Sequence, residues 1–132
     1  SILTKDLLTT VHRVGFDPFI GFLHSHGYGK PALALDLMEE FRPLIVDSTV
    51  LQVISRNMVK ERHFRLESGA VWMLPPARKA FVRALARRHE KLVTHPVFGY
   101  RLSYRRTMEV QARLLARVLS GEASEYLPMT TR

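Results

Sequence analysis

The 132-residue sequence contains no cysteine, which excludes disulfides, zinc–thiolate sites and thiol nucleophiles. It has no apolar run near the roughly 18 residues that a membrane span needs. The opening SILTKDLL carries an acid and leads into no long apolar core, so we do not expect it to act as a signal peptide. Its glycines match neither nucleotide-binding fingerprint. The missing cysteines fit a reducing compartment, and we expect a cytoplasmic protein without membrane contact.

The remaining composition is that of one globular domain. Hydrophobic residues make up 46% of the chain, which disfavours disorder. A chain of this length suits a single domain that buries about two-thirds of its unfolded surface.

Positive charge is concentrated in the second half of the chain. Residues 1–75 hold eight Lys and Arg against eight Asp and Glu, whereas residues 76–117 hold eleven Lys and Arg against Glu90 and Glu109, a balance of +9. Such a surface attracts phosphates. Because ribosomal and other nucleic-acid-binding domains are equally basic, charge alone predicts only the class of partner.

Apolar periodicity predicts an all-α fold over residues 1–132. The predicted helices are 3–14, one from Pro31 that kinks or restarts at Pro43, a fully packed second part over 44–57, one from Pro75-Pro76 to about Val93, and one over 104–120. Residues 63–73 break this period and predict one small β-hairpin, or else an irregular loop. We expect a loop over 94–103 and an extended or loosely packed tail over 121–132.

One stretch, Gly21 to Pro43, carries the residue types of a metal site. His24 ends an apolar run, a glycine-rich turn follows, and Asp36 and Glu39 then lie three positions apart on a helix, where side chains are neighbours. Two carboxylates facing an imidazole can hold a hard divalent cation. Alternatively, the carboxylates, Glu40 included, are solvated and His24 is a hydrogen-bonded core residue.

The same stretch, GFDPFIGFLHSHGYGKPALALDLMEEFRP, resembles the signature of the CRISPR-associated adaptation integrases. LVTHPVFGYRLSYRRTMEVQARLLARVL and the terminal TTR resemble the rest of that family's helical catalytic domain. The resemblance implies catalytic roles for His24, Asp36 and Glu39. It implies that His24 and Glu39 bind Mg²⁺ or Mn²⁺, and that Asp36 binds the cation directly or through water.

The resemblance also implies what the intact protein does. Family members are prokaryotic DNA endonucleases and integrases that join spacer 3′-hydroxyl ends to the CRISPR repeat by transesterification. They dimerise through an N-terminal β-rich domain and bind a small ferredoxin-like adaptation subunit. A further ligand glutamate of the family lies upstream of anything in this chain. We therefore expect the chain alone to bind DNA in a salt-sensitive way and to cleave it weakly or not at all.

Five arginines are the predicted DNA contacts. They lie on the basic helix after residue 75 and at the entry to the last helix: Arg83, Arg87, Arg101, Arg105 and Arg106. Guanidinium groups match phosphate geometry, although a solvated helix face has the same pattern. Two other functions fit the sequence: a non-catalytic DNA-binding and assembly module, and a metal nuclease unrelated to adaptation.

Overall fold

The structure is a computed structural model that describes residues 32–130 and, before them, residues 3, 5, 7, 9, 10 and 13. These six earlier residues are helical, in agreement with the predicted helix over 3–14. Leu3 and Leu7, four positions apart, are both buried, which identifies the core-facing stripe of that segment.

Helices dominate the described part of the chain, which confirms the predicted fold class. The helices are α1 (Ala32–Phe41), α2 (Ser48–Ser55), α3 (Pro75–Glu90) and α4 (Tyr104–Leu119). A π-helix (Arg42–Asp47) joins α1 to α2, and a 3₁₀ turn (Glu61–His63) precedes the first strand. Within the described residues, no helix is long and apolar enough to cross a membrane.

Pro43 causes the π-helix. Proline has no N–H to donate, and its ring would clash with the carbonyl four residues earlier in a regular α-helix. The chain instead widens by one residue, and the Ser48 N–H donates to the Pro43 carbonyl, the i to i−5 bond of a π-turn. The helical path continues, so that Phe41, Ile45 and Thr49 are all buried.

The predicted hairpin over residues 63–73 is present. Strands β1 (Phe64–Glu67) and β2 (Ala70–Met73) are antiparallel, with Leu66 opposite Val71. Ser68 and Gly69 both have positive φ, 53° and 77°. This is the backbone of a two-residue hairpin turn whose twist matches the strands.

A second antiparallel pair lies where a loop was predicted. Strand β3 (Leu92–Thr94) pairs with β4 (Arg101–Ser103), and only residues 95–100 form the loop. The prediction that the preceding helix runs to Val93 was therefore wrong. Helix α3 ends at Glu90, because Lys91 is extended and Leu92 enters the strand.

The main core lies between the amino-terminal residues, α1, α3, α4 and the tail. Its buried members are Leu3, Leu7, Leu37, Phe41, Ile45, Leu85, Tyr104, Met108, Ala112, Leu115 and Met129. A smaller cluster of Val53, Val59, Ala77 and Ala84 packs between α2 and α3, and Phe81 borders both clusters. Burying one large apolar side chain stabilises the fold by about 1.5–3 kcal/mol.

The prediction for α2 was wrong, and of the two alternatives predicted for the tail the loosely packed one is contradicted. Helix α2 is not fully packed, since Leu51 and Ile54 are exposed, because α3 covers only one of its faces. The tail has no regular structure but is not loosely packed, since Met129 is buried in the main core. Hydrogen bonds from α1 and α4 account for this docking.

Candidate functional site

Three acidic residues of α1 are among the residues that line one cavity. Asp36, Glu39 and Glu40 line a space of about 520 Å³, together with residues of α4 and of the tail. Asp36 is half-buried and Glu39 is exposed. The two acids of α1 that are predicted to be catalytic therefore border the same cavity.

Glu39 is only weakly engaged by a neighbour. Its carboxylate lies 3.9 Å from the Arg42 guanidinium, and both side chains are about half exposed (46% and 58%). An ion pair at that distance in solvent contributes little, about 0–1 kcal/mol. The Glu39 side chain thus remains exposed to solvent.

Glu40 has a different role from its neighbours. One carboxylate oxygen accepts hydrogen bonds from Gln111 Nε2 at 2.8 Å and from the Met129 N–H, and the other accepts from the Tyr126 hydroxyl. Its donors come from α4 and the tail. Glu40 therefore joins three segments, and it is not an acid that merely solvates the surface.

Gln111 extends this network to the β3–β4 loop. His95 Nδ1 accepts from the Val97 and Phe98 N–H groups, so the proton resides on Nε2, which donates to Gln111 Oε1 at 2.9 Å. Gln111 Nε2 also donates to the Leu127 carbonyl at 3.0 Å. His95 and Gln111 are fully buried, where an unsatisfied polar group would cost about 1–3 kcal/mol.

Tyr126 is held in its neutral form within this network. Burial raises the pKa of the Tyr126 hydroxyl well above its usual value, and the adjacent Glu40 carboxylate raises it further. A protonated phenol is the form that can donate to a carboxylate. The network thus requires one anion, Glu40, and one neutral phenol.

Periodicity alone did not reveal this network. Asp36, Glu39 and Glu40 look equivalent in the sequence, because all three lie beside the apolar stripe of one helix. Spacing cannot show that Gln111, 71 positions later, and the tail donate to Glu40. The amide of Gln111 on the mostly apolar buried stripe of α4 was the available signal.

The five predicted DNA contacts are all exposed. Arg83 and Arg87 lie on α3, and Arg101 lies on β4. Arg105 and Arg106 begin α4, where the Ser103 hydroxyl accepts from the Arg106 N–H as a helix cap. Their contact with DNA stays a prediction.

A cleft of about 500 Å³ adjoins the start of α4, and we call it the arginine cleft. Arg13, Arg105 and Arg106 line it, together with Glu90 and Glu109. Glu90 is ion-paired with Arg105 at 2.7 Å, and Glu109 with Arg113 at 3.0 Å. Both acids of the cleft are therefore already engaged, and Arg13 and Arg106 add positive charge beside them.

Not every cation of the basic half is available to a ligand. Arg88 is half-buried, donates from Nε to the Leu44 carbonyl at 2.8 Å, and lies over the Tyr104 ring. It therefore fixes α3 against the π-helix. The regional charge of +9 overstates the charge that the surface presents.

The predicted metal site can be examined only in part. His24 lies outside the described residues, so its approach to Asp36 and Glu39 stays a prediction. Among the residues that the structure describes, no group of three or more His, Asp or Glu side chains could hold a metal ion. The oxygen donors of Asp36 and Glu39 at one cavity fit a hard divalent cation in type.

The chain belongs to the Cas1 family of CRISPR-associated proteins, whose family model matches residues 1–87. It is 48% identical over 132 residues to a Cas4 exonuclease/Cas1 endonuclease fusion from Geobacter sulfurreducens, covering all of this chain and 24% of that protein. The chain thus spans about a quarter of the length of this curated relative.

Two solved structures show the same fold. A casposase bound to its integration product superposes with a TM-score of 0.82 at 24% identity, over 94% of this chain and 36% of that one. A chain of a partial Cas6-RT-Cas1–Cas2 complex superposes with a TM-score of 0.80 at 23% identity, over 99% and 39%. At these identities the likeness concerns the fold.

Proposed function

We propose that this chain forms the helical catalytic part of a CRISPR adaptation endonuclease and integrase, which joins a DNA 3′-hydroxyl end to the CRISPR repeat. Membership of the Cas1 family, together with Asp36 and Glu39 on one cavity, supports this proposal most directly. The similar fusion protein carries an endonuclease name. The exposed arginines agree with a polyanionic substrate.

His24 and Glu39 would hold Mg²⁺ or Mn²⁺, with Asp36 bound directly or through water. Such an ion, when bound, polarises a phosphoryl oxygen and neutralises charge on the attacking and leaving oxygens. Carboxylates and water suit either ion, and an imidazole ligand favours manganese. Glu40 is excluded as a ligand in this scheme, because both of its oxygens accept hydrogen bonds from α4 and the tail.

The reaction is an exchange of esters. The 3′-hydroxyl oxygen forms a new bond to phosphorus, the existing P–O bond breaks, and the proton of the attacking hydroxyl leaves while the departing oxygen becomes a hydroxyl. No nucleotide is hydrolysed. Arg101, Arg105 and Arg106 would hold the flanking phosphates, because guanidinium groups bind phosphate in a fixed orientation.

The intact protein would act as a dimer with a small ferredoxin-like adaptation subunit in the prokaryotic cytoplasm. The family membership supports these partners, and one chain of similar fold belongs to a complex named for Cas1 and Cas2. This chain would supply the helical catalytic domain, and the dimer interface would lie in an N-terminal β-rich domain outside it.

Strand transfer tests the proposal. The longer protein that we expect to contain this chain, with its adaptation subunit, is incubated with a repeat-containing duplex, a labelled 3′-hydroxyl oligonucleotide and Mn²⁺. Glu39→Gln and His24→Ala should lower joining by at least a hundredfold and weaken Mn²⁺ binding measured by electron paramagnetic resonance. Glu122→Gln, an exposed acid outside the cavity, is the matched control.

Three outcomes separate this function from the alternatives. Normal joining by Glu39→Gln would refute the catalytic assignment. DNA binding without any joining by the wild-type protein would favour the non-catalytic assembly module. Cleavage without joining to the repeat would favour a nuclease unrelated to adaptation. The isolated chain should bind DNA but cleave it little, so strong nicking that His24→Ala abolishes would contradict our expectation about the missing ligand.

A further inference from the structure

Two aromatic rings lie side by side on the surface of the β3–β4 loop. The Phe98 and Tyr100 rings are nearly parallel, with centroids 5.7 Å apart and an interplanar angle of 14°. They are 44% and 52% exposed. Rings of this size contribute most to stability when they are buried, so their position in solvent does not serve the core.

A rigid support lies beneath the pair. The buried His95 ring is 4.8 Å from the Phe98 ring, and the loop N–H groups and Gln111 fix its orientation. The backbone N–H of His95 donates to the Tyr100 carbonyl, and Gly99 takes the positive φ of 73° that the turn requires. The two exposed rings are therefore held in place before any ligand arrives.

Positive charge surrounds the Tyr100 end of the pair. A groove of about 680 Å³, which we call the tyrosine groove, is lined by Tyr100 and by Arg101, Arg106 and Arg113. Its acids are Glu90 and Glu109, which are ion-paired with Arg105 and Arg113. The groove adjoins the arginine cleft, because both are lined by Arg106.

We infer that Phe98 and Tyr100 form a stacking site for an unpaired nucleobase, whose adjoining phosphates lie on Arg101 and Arg106. Proteins that bind single strands combine a cationic groove with aromatic rings, because every base offers a flat π-face. Bases inside a duplex are stacked on each other and offer no free face. The site therefore selects single-stranded over double-stranded DNA.

The surrounding charge favours this ligand over an apolar protein partner. An interface core between proteins is depleted of charged residues, whereas the groove that Tyr100 lines has three arginines and two glutamates, a net positive balance. The inference rests on the proposed function only in so far as the ligand is DNA. It concerns a step before catalysis, the capture of an unpaired strand.

The test compares two oligonucleotides of equal length and charge. Fluorescence anisotropy measures the affinity of this chain for a short oligothymidine and for an abasic oligonucleotide with the same phosphates. Each base stacked on an aromatic ring contributes about five-fold to more than a hundredfold in affinity. The wild-type chain should prefer the oligothymidine by that factor, and the Phe98→Leu/Tyr100→Leu double variant should bind both oligonucleotides equally.

Matched variants make the result specific. Val97→Ala changes an exposed apolar side chain of the same loop and should leave the preference intact. Phe98→Tyr/Tyr100→Phe keeps both rings and should also retain it. Arg106→Gln should weaken the binding of both oligonucleotides alike and lower the salt dependence of that binding, since it removes a phosphate contact. Circular dichroism melting checks that each variant is folded.

Failure of the inference and failure of the proposed function look different. A folded leucine double variant that still prefers the oligothymidine overturns the stacking site while DNA binding stands. A wild-type chain that binds both oligonucleotides equally overturns it too. If the wild-type chain binds neither oligonucleotide nor a duplex at low salt, the DNA function itself fails, and with it this inference.

Discussion

Replacing Glu40 should separate its structural role from the predicted catalytic role of Glu39. Glu40→Ala removes an acceptor of three hydrogen bonds that join α1 to α4 and the tail. A hydrogen bond to a charged group contributes about 1.5–3 kcal/mol. Water can replace part of these hydrogen bonds, because the site is only partly buried. We therefore expect Glu40→Ala to lower the free energy of unfolding by about 2–4 kcal/mol.

The assay is urea unfolding followed by circular dichroism, with thermal melting as a second measurement. For a domain of this size the loss corresponds to a fall in Tm of roughly 8–15 °C. Glu40→Gln keeps the shape and one carbonyl acceptor, and should lose about half as much. Hydrogen exchange should show faster exchange of the Met129 amide in both variants.

Glu39→Gln is the matched control, because it changes the adjacent exposed acid by the same chemistry. It should alter the free energy of unfolding by less than about 0.5 kcal/mol. If Glu40→Ala unfolds at the wild-type urea midpoint with an unchanged slope, the carboxylate does not hold the tail, and the reasoning above is refuted.

Three further perturbations test other parts of the structure. Tyr126→Phe should destabilise the chain at pH 7, but the difference from wild type should shrink above about pH 10. The raised pKa of Tyr126 means that the unfolded chain ionises first, so wild-type stability falls there as pH rises; a constant difference up to pH 11 would contradict this. Met129→Ala, at a position 4% exposed, should cost about 2–4 kcal/mol by urea unfolding, and a loss below 0.5 kcal/mol would mean that the tail is not packed. Glu90→Gln frees Arg105 from its ion pair and should raise duplex affinity a few-fold at low salt, whereas unchanged affinity in anisotropy titrations would exclude Arg105 as a phosphate contact.

The apolar periodicity of the sequence predicted those helices whose form depends on residues within a few turns of each other. Helix α4 has apolar residues at helical spacing, and Met108 and Leu115 are buried as expected. The break at Pro43 was also predictable, because the missing proline N–H removes a hydrogen bond within a single helical turn. The sequence does not show whether the chain widens into a π-helix at Pro43 or starts a new helix after it. The π-helix keeps Ile45, two residues after Pro43, in the core.

Long-range pairing was not predictable from one sequence. Leu92 and Val93 continue the helical pattern of α3, yet they pair with Ser103 and Leu102, because the loop of residues 95–100 closes over His95. The separate roles of Glu39 and Glu40 depend on the docking of the tail. Local propensity does not encode such contacts.

The burial of Met129 also constrains how this domain is made. It shares one core with Leu3 and Leu7, so hydrophobic contacts join segments of the chain whose synthesis is separated by more than a hundred residues. At a synthesis rate of about 5–20 residues per second, the helical segment with Leu3 and Leu7 is made several seconds before Met129 can pack against it. A nascent chain arrested near residue 120 should thus remain sensitive to protease, and protection should appear only after release of the stretch that contains Tyr126 and Met129.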